Sequence, residues 1–377
     1  MNAYYLTKLL FRFGYPCRKN VIDRFGKSYV DGIEGWQFPR ETIDAYNREG
    51  KLLTMDLDIP CGCDLDCSYC FAKENAYYRT EAGDKPLSMQ RIKGYLLEAK
   101  KLGLQSAKII GYGEPFMNPK IFDLIRLATE NGVHLVIFTA CYTLGEGCFG
   151  GSKERAIDFL FRHKVSLMIK FHTLNRKKEE QIVGRKWYQK RRDINLRLIL
   201  KHGGFTADSP TRLGLENVIA TQDVLELAAI YEYFKIRRNV HVDIDAPIPV
   251  GRTATKEQGE RIGLAGERLM ELYERIYRIN RRYGIPSQGV SPFIGNSPCS
   301  QLPNGLYLTL SGKVMSCCGG NEQYGDLNAG DTLSEIFHRN PYRLKAKTVY
   351  HDCPYRERAG ILSAAFLKRV RSELEGK

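Results

Sequence analysis

Apolar and β-branched stretches alternate with amphipathic stretches along the first two thirds of this chain. Six apolar runs predict β-strands: Leu53–Ile59, Ala107–Gly111, Val133–Phe138, Val165–Lys170, Leu213–Ala220 and Val240–Ile244. Amphipathic segments predict helices between most of them: Leu87–Leu102, Pro119–Glu130, Lys153–His163, Lys177–Leu200 and Gln222–Lys235. Strands separated by helices pair in parallel through right-handed crossovers, so the pattern predicts an α/β architecture. Six such units are too few for a closed eight-stranded barrel.

A long helix and then a smaller unit follow the sixth strand. Apolar residues recur at helical spacing over Gly259–Tyr283 and predict a helix that packs on the core. Gly284–Pro286 ends this helix, and a hairpin is predicted over Leu306–Met315. We therefore predict four parts: an N-terminal extension of unknown role (1–50), an α/β core (51–254), a linking helix (255–284) and a C-terminal module with a final helix (285–377).

The composition is ordinary for a globular protein. The chain has 377 residues, of which 43% are hydrophobic and 27% charged. No apolar run reaches the ~18–20 residues that span a membrane, and Met1–Asn20 lacks the apolar core of a signal peptide. With no secretion signal, the 11 cysteines indicate reduced thiols that bind metal. These features predict a cytoplasmic enzyme with no membrane partner.

The net charge of +14 admits more than one interpretation. The basic residues are scattered, and their densest run, Arg185–Arg197, is typical of a solvated helix face. A polyanion site is the alternative for this run. A basic cleft also raises the local concentration of an anionic substrate. No nucleic-acid-binding signature accompanies the charge, so a nucleic-acid partner is not predicted.

Three cysteines on a short loop after the first strand carry the strongest chemical signal. Cys63, Cys67 and Cys70 have the spacing C-x3-C-x2-C. Three such thiolates can hold three corners of a 4Fe–4S cluster, which leaves one iron open to a small molecule. A zinc site with Cys61 as its fourth ligand is the alternative. The aromatic residues Tyr69 and Phe71 favour the cluster, because they suit a cofactor ring packed on the loop.

The loop resembles the C-x3-C-x-aromatic-C signature of the radical S-adenosylmethionine (SAM) enzymes. The turn Gly111-Tyr112-Gly113-Glu114-Pro115 resembles that family's GGEP turn, with Tyr112 at the second glycine. The resemblance implies a partial (β/α)6 TIM-like barrel in which the open iron chelates SAM. It also implies an electron donor such as flavodoxin or ferredoxin, and reductive cleavage of SAM to a 5′-deoxyadenosyl radical.

The same resemblance assigns residues to the cofactors. It makes the three motif cysteines the cluster ligands and places Tyr69 near the adenine of SAM. It places the Gly111–Pro115 turn, and within it Gly113 and Glu114, beside the SAM amino group. Cys61, two residues upstream of the motif, departs from the family pattern and is interpreted as a bystander.

Other candidate residues follow the ends of later strands. Thr139 lies where relatives often carry a Thr-Asn-Gly triplet. Lys170 could pair with the SAM carboxylate and His172 could face substrate, or both could be solvent-facing loop residues. Asp243 and Asp245 share one strand face, where they could bind substrate, act as a general base, or form a hydrated strand end.

A second group of cysteines lies in the C-terminal module. Cys299, Cys317, Cys318 and Cys353 flank the predicted hairpin, and their order resembles the auxiliary-cluster modules called SPASM and twitch. Four cysteines favour the shorter, twitch-like α+β type with one auxiliary 4Fe–4S cluster on Cys299, Cys317 and Cys353. The fourth ligand is then Cys318 or an open iron; structural thiols are the alternative for all four.

The resemblance implies a radical SAM, oxidoreductase-like enzyme that abstracts hydrogen from a small polar, sugar-like or anionic metabolite. Net oxidation or rearrangement would follow, aided by the auxiliary cluster. Maturation of a ribosomal peptide or protein side chain is an alternative. A non-catalytic metal- or RNA-binding protein is an alternative of another class.

Overall fold

The computed structural model describes most of the chain. The described residues are 3–15, 18–74, 86–219, 222–255, 257, 266–286, 293–294, 299–320, 322–344 and 353–358, with a few single positions beyond. The start of the predicted linking helix and most of the predicted final helix lie outside them. Among the described residues, no helix combines the length and apolar character that crossing a membrane requires.

Ten strands of the described chain form one sheet. They are β1 (Thr54–Asp58), β2 (Ser106–Gly111), β3 (His134–Thr139), β4 (Ser166–Lys170), β5 (Leu213–Val218), β6 (His241–Asp245), β7 (Phe293–Ile294), β8 (Gly305–Leu308), β9 (Lys313–Met315) and β10 (Gln323–Asp326). Their order is β10-β9-β8-β1-β2-β3-β4-β5-β6-β7. All neighbours from β8 through β6 are parallel, whereas the outer pairs are antiparallel.

The described part of the chain also forms thirteen α-helices. They are α1 (Ala3–Phe13), α2 (Val21–Phe25), α3 (Arg40–Glu49), α4 (Met89–Lys101), α5 (Ile121–Glu130), α6 (Lys153–Arg162), α7 (Arg176–Val183), α8 (Tyr188–His202), α9 (Val224–Tyr231), α10 (Gly266–Tyr283), α11 (Gln301–Asn304), α12 (Leu333–Arg339) and α13 (Pro354–Arg358). Side chains from the helices and from the outer sheet face form one large apolar core. The inner face of the sheet is left to line a lumen.

The predicted α/β fold with a partial barrel is confirmed, and each of the six predicted strands is present. The sheet does not close, because β10 and β7 form its two edges. One predicted helix, Lys177–Leu200, is instead two, α7 and α8. The chain turns between them because Gly184 and Trp187 both adopt left-handed backbone conformations, with φ of 64° and 69°.

The C-terminal hairpin continues the core sheet. Strand β8 pairs in parallel with β1, and its Tyr307 hydroxyl donates to the Asp58 carboxylate at 3.0 Å. The same carboxylate accepts a hydrogen bond from the Leu310 amide at 3.1 Å. The end of β1, from which the cysteine loop departs, is thereby tied to the hairpin.

Three of the six basic residues in the run Arg185–Arg197 form ion pairs. Arg185 binds Asp64 at 2.6 Å, and Arg191 binds Glu146. Arg192 is fully buried and pairs with Glu179 at 2.6 Å, while its other nitrogens bind Asp193. The run is therefore not a uniform solvated face.

Arg192→Leu should destabilise the protein strongly. Removing Arg192 leaves the buried Glu179 carboxylate without its ion-pair partner, at a cost of about 3–5 kcal/mol. The matched control is Arg162→Ala, whose pair with Asp158 is exposed, and it should cost about 0.5 kcal/mol or less. Urea unfolding followed by circular dichroism measures both. Equal unfolding midpoints for the two variants would contradict a stabilising role for this network.

Candidate active site at the carboxyl ends of the strands

The loop after β1 presents the three motif cysteines at the carboxyl end of the sheet. Cys63 is exposed, whereas Cys67 and Cys70 are half-buried. The loop is docked on α7, since the Asp66 and Ser68 amides donate to backbone carbonyls of that helix at 2.8 and 2.9 Å. Burial and the neighbouring thiols of Cys70 and Cys63 raise the pKa of Cys67 to about 12. The loop thus carries the three thiols at one end of the sheet, where positive iron would favour their thiolate forms.

The turn Pro249-Val250-Gly251-Arg252, which follows β6, also holds this loop. The Arg252 amide donates to the Cys70 carbonyl at 3.2 Å, and its guanidinium donates to the Cys67 carbonyl at 3.0 Å. A Cβ on Gly251 would collide with the same stretch of backbone, and this glycine has φ of 62°. Arg252 and Gly251 thus fix the backbone between the second and third cysteines.

The glycine-rich turn after β2 packs directly on the cysteine loop. The Glu114 amide donates to the Gly62 carbonyl at 2.9 Å. A Cβ on Gly113 would lie 2.6 Å from that carbonyl and 2.9 Å from the Cys61 sulfur, so only glycine fits. Cys61 therefore faces this turn, as expected of a bystander to the motif. Tyr112 adopts φ of 65°, a conformation natural for the glycine it replaces.

The Glu114 carboxylate is buried and held in one orientation. It accepts hydrogen bonds from the Thr139 hydroxyl and from the Ala140 amide, the latter at 2.7 Å. Burial raises the pKa of Glu114 to about 7, although these donors oppose the shift. Thr139 thus positions Glu114, and the carboxylate can receive an ammonium group.

Lys170, the last residue of β4, lies near Tyr69 of the cysteine loop. Lys170 binds Glu216 of β5 at 2.5 Å, and its ammonium lies 5.9 Å from the centre of the Tyr69 ring. The Tyr69 hydroxyl is 2.6 Å from Nε2 of His172. The Val218 amide donates to Nδ1 of His172 at 3.3 Å, so the proton of the neutral ring resides on Nε2. Burial lowers the pKa of His172 well below its usual value. His172 supports Tyr69 from behind and does not line the cavity, which differs from its predicted contact with substrate.

The two aspartates of β6 have different surroundings. Asp245 lines the cavity and pairs with Arg356 of the C-terminal segment. Burial raises the pKa of Asp245 to about 7, although the Arg356 guanidinium opposes the shift. Asp243 is buried deeper, 3.3 Å from Nε2 of His241, and does not line the cavity. Of the two, only Asp245 is placed to face a ligand.

A cavity of about 170 Å³ lies inside the open barrel. Tyr69 and Phe71 border it from the first cysteine loop. All four C-terminal cysteines border it from the opposite wall: Cys299, Cys317, Cys318 and Cys353. The first cysteine loop and the C-terminal cysteines, far apart in sequence, thus border one cavity.

The C-terminal cysteines lie near one another and near buried charges. Burial raises the pKa of Cys317 well above its usual value, with further contributions from the other three thiols. Burial also raises the pKa of Cys299 to about 11. In the described part of the chain, no three His, Cys, Asp or Glu side chains surround a single point closely enough to bind one metal ion. A cube needs no such group, because each thiolate binds a different iron.

Sequence reasoning missed several cavity residues. Asp56 of β1 pairs with Lys108 of β2 at 2.8 Å, and Gln301 accepts a hydrogen bond from Lys108 at 3.2 Å. A signal for Asp56 and Lys108 was present, since each is a charged residue within an otherwise apolar strand. Arg356 and Trp36 lie in segments without a periodic pattern and carried no such signal.

Comparisons with known proteins agree with this geometry. Residues 58–228 match the family model of the radical SAM superfamily. These residues form a radical SAM domain. The predicted family is confirmed for this domain, together with a 4Fe–4S cluster and SAM as its cofactors. None of the curated proteins matches the chain significantly.

Two solved structures share the fold of the radical SAM domain and its flanking parts. Streptococcus suis SuiB bound to S-adenosylmethionine is 16% identical, with a TM-score of 0.57; the match covers 80% of this chain and 69% of SuiB. The protein anSMEcpe with bound AdoMet is 12% identical, with a TM-score of 0.50; the match covers 86% of this chain and 96% of that one. At these identities the likeness concerns the fold alone.

Proposed function

We propose that the protein is a radical SAM enzyme that abstracts hydrogen from a small, neutral polar metabolite held in the barrel cavity. The observation that carries this proposal is the cavity itself, which is bordered by Tyr69 and Phe71 of the first cysteine loop and by the four C-terminal cysteines. Hydrogen abstraction requires the target carbon close to the deoxyadenosyl methylene. A small molecule in this space would lie between the two cluster sites.

The chain has side chains suited to bind both the first 4Fe–4S cluster and SAM. Cys63, Cys67 and Cys70 would hold the 4Fe–4S cluster, which supplies the electron that cleaves the SAM sulfonium when bound. The oriented, buried Glu114 carboxylate suits the SAM amino group. Lys170, already near Tyr69, suits the SAM carboxylate.

The C-terminal cysteines would hold the auxiliary cluster. Cys299, Cys317 and Cys353 are its proposed ligands, and Cys318 is the proposed fourth, because all four border the same space. A cluster there supplies an acceptor for one electron of an oxidised substrate. This arrangement favours net two-electron oxidation over rearrangement.

The electrostatics of the cavity favour a neutral substrate over an anion. Its six charged lining residues form three opposite-charge pairs: Asp56 with Lys108, Lys170 with Glu216, and Asp245 with Arg356. The local charges therefore cancel, although the whole chain carries +14. An ionic substrate would have to break the buried pair Asp56–Lys108 or the pair Asp245–Arg356, which is costly. Hydroxyl groups, as in a sugar-like molecule, can bind beside these pairs without breaking them.

The test is anaerobic turnover by the reconstituted protein. The protein is incubated with SAM, reduced flavodoxin or dithionite, and separate panels of neutral sugars and polyols, amino sugars, sugar phosphates and peptides. We expect a neutral polar compound to be consumed. When that compound is deuterated at the reacting carbon, mass spectrometry should show deuterium in 5′-deoxyadenosine. Absence of 5′-deoxyadenosine would overturn the proposed activity. Consumption of amino sugars, peptides or sugar phosphates alone would overturn the proposed substrate class.

Asp245→Asn should separate SAM cleavage from product formation. We propose that Asp245 takes the hydroxyl proton as the substrate is oxidised, because it is the cavity carboxylate of β6. Loss of a general base lowers turnover by about 100-fold or more, whereas 5′-deoxyadenosine should still form. The matched control is Asp243→Asn, two residues away and outside the cavity, which should retain product formation. Normal turnover by Asp245→Asn would show that the base lies elsewhere.

A further inference from the structure

A short N-terminal segment, residues 33–37, crosses the amino-terminal end of the sheet. The Glu34 amide donates to the Thr211 carbonyl, just before β5, at 2.8 Å. The Glu34 carbonyl accepts a hydrogen bond from the hydroxyl of Ser166, the first residue of β4, at 2.8 Å. The cysteine loop departs from the opposite, carboxyl end of the strands. This segment therefore covers the far end of the lumen.

Close packing holds the segment in place. The Gly35 carbonyl accepts a hydrogen bond from the hydroxyl of Ser106, the first residue of β2. Gly35 has φ of 84°, and a Cβ on it would collide with the ring of His134, the first residue of β3. Contacts with β2, β3 and β4 thus hold the segment in place, and its next residue, Trp36, lines the cavity.

The Trp36 ring borders the cavity. It contacts Phe138 edge-on, with ring centres 5.2 Å apart, and the Lys108 ammonium lies 5.9 Å from its centre. Both Trp36 and Gln37 line the cavity, opposite the loop that carries Tyr69 and Phe71. Trp36 precedes residues 58–228, so the family match assigns it no role.

We propose that Trp36 forms the floor of the substrate cavity and sets the length of substrate that the enzyme accepts. The inference rests on the proposed function, because the reacting carbon must lie near the SAM end of the lumen. The remainder of the substrate then extends toward Trp36. The flat indole face suits the C–H face of a sugar-like ring, while Lys108, held by Asp56, offers a hydrogen-bond donor beside it.

The test uses the two tryptophans of the chain, Trp36 and Trp187. Trp187 is 61% exposed and does not line the cavity, so Trp187→Ala is the matched control. Trp36→Ala should open a space of the shape of indole, and apolar cavities of this kind bind aromatic molecules. Indole should therefore raise the melting temperature of reconstituted Trp36→Ala by about 2 °C or more. It should leave the wild type and Trp187→Ala unchanged.

Trp36→Leu is the second variant, to be used if Trp36→Ala does not fold, because it keeps an apolar side chain. We expect indole to stabilise it in the same way. Both variants should still form 5′-deoxyadenosine, because the SAM groups lie at the other end of the cavity. For the substrate found in the metabolite screen, a homologue one carbon longer should gain at least about tenfold in kcat/KM relative to the wild type.

The outcomes separate this inference from the proposed function. Absence of 5′-deoxyadenosine from the wild type would overturn the proposed function. The effect of indole on the melting temperature would still test whether Trp36 forms the floor of the cavity. Normal 5′-deoxyadenosine formation with no stabilisation of either Trp36 variant by indole would overturn Trp36 as the floor. Equal stabilisation of Trp187→Ala would do the same. Stabilisation by indole without any change in preferred substrate length would overturn the role in specificity.

Discussion

Replacing Cys63, Cys67 and Cys70 together by alanine is expected to lower the iron content of reconstituted protein from about eight to about four per chain. The same variant should form no 5′-deoxyadenosine, because no thiolate remains to hold the cluster beside the Glu114 and Lys170 groups. Iron analysis and chromatography of the nucleoside products measure the two effects. The iron content falls by about four because the triple variant loses one complete 4Fe–4S cluster.

Two matched cysteine variants control this experiment. Cys148→Ala removes a half-buried thiol that borders neither cysteine group, and it should keep about eight irons. Cys61→Ala should also keep them, because its sulfur faces the Gly113 turn. Full iron content in the triple variant would refute the assignment of the loop. Zinc in place of iron in the wild type would favour the alternative hypothesis, a metal-binding protein without catalysis.

Cys299→Ala and Cys353→Ala should each abolish product formation yet retain 5′-deoxyadenosine formation. The groups proposed to bind SAM lie in the turn after β2, at the end of β4 and in the first cysteine loop, none of which includes these thiols. Iron content should fall toward about four per chain. Product and nucleoside analysis of the same samples separates the two activities.

A structural effect of these variants is distinguishable. The hairpin after Cys299 pairs with β1, from which the first loop departs, so damage to the hairpin would reach both sites. Cys299→Ser keeps the size of the side chain and should behave as Cys299→Ala does if only cluster binding is lost. Loss of 5′-deoxyadenosine and of all iron in every variant would show that the module serves folding alone.

The strand and helix order was predictable because it depends on local periodicity. Each of the six predicted core strands is present, with ends shifted by a few residues. The helix predicted over Lys177–Leu200 was wrong in its middle. Apolar residues continue in register there, but Gly184 and Trp187 turn the backbone. Such a break depends on single backbone conformations that a periodic pattern averages out.

The candidate site was predictable only where close sequence spacing implies closeness in space. The motif cysteines and the Gly111–Pro115 turn are of this kind, and the structure packs them together. His172 and Asp243 were predicted to face substrate from their position near strand ends. The structure instead buries His172 behind Tyr69 and places Asp243 beside His241. The position of a residue near a strand end does not specify which neighbours its side chain meets.

The sequence by itself determined the α/β order, the cysteine loop and the family, because each is written in short-range spacing. Only the tertiary structure decided which distant residues share the cavity. It brings Arg356 to Asp245 across 111 positions of sequence, pairs β8 with β1, and places Trp36 under Lys108. These contacts arise when the curved sheet forms a lumen and unpatterned segments fill its ends. No local pattern encodes them, because the buried charges and rings that select them belong to different parts of the chain.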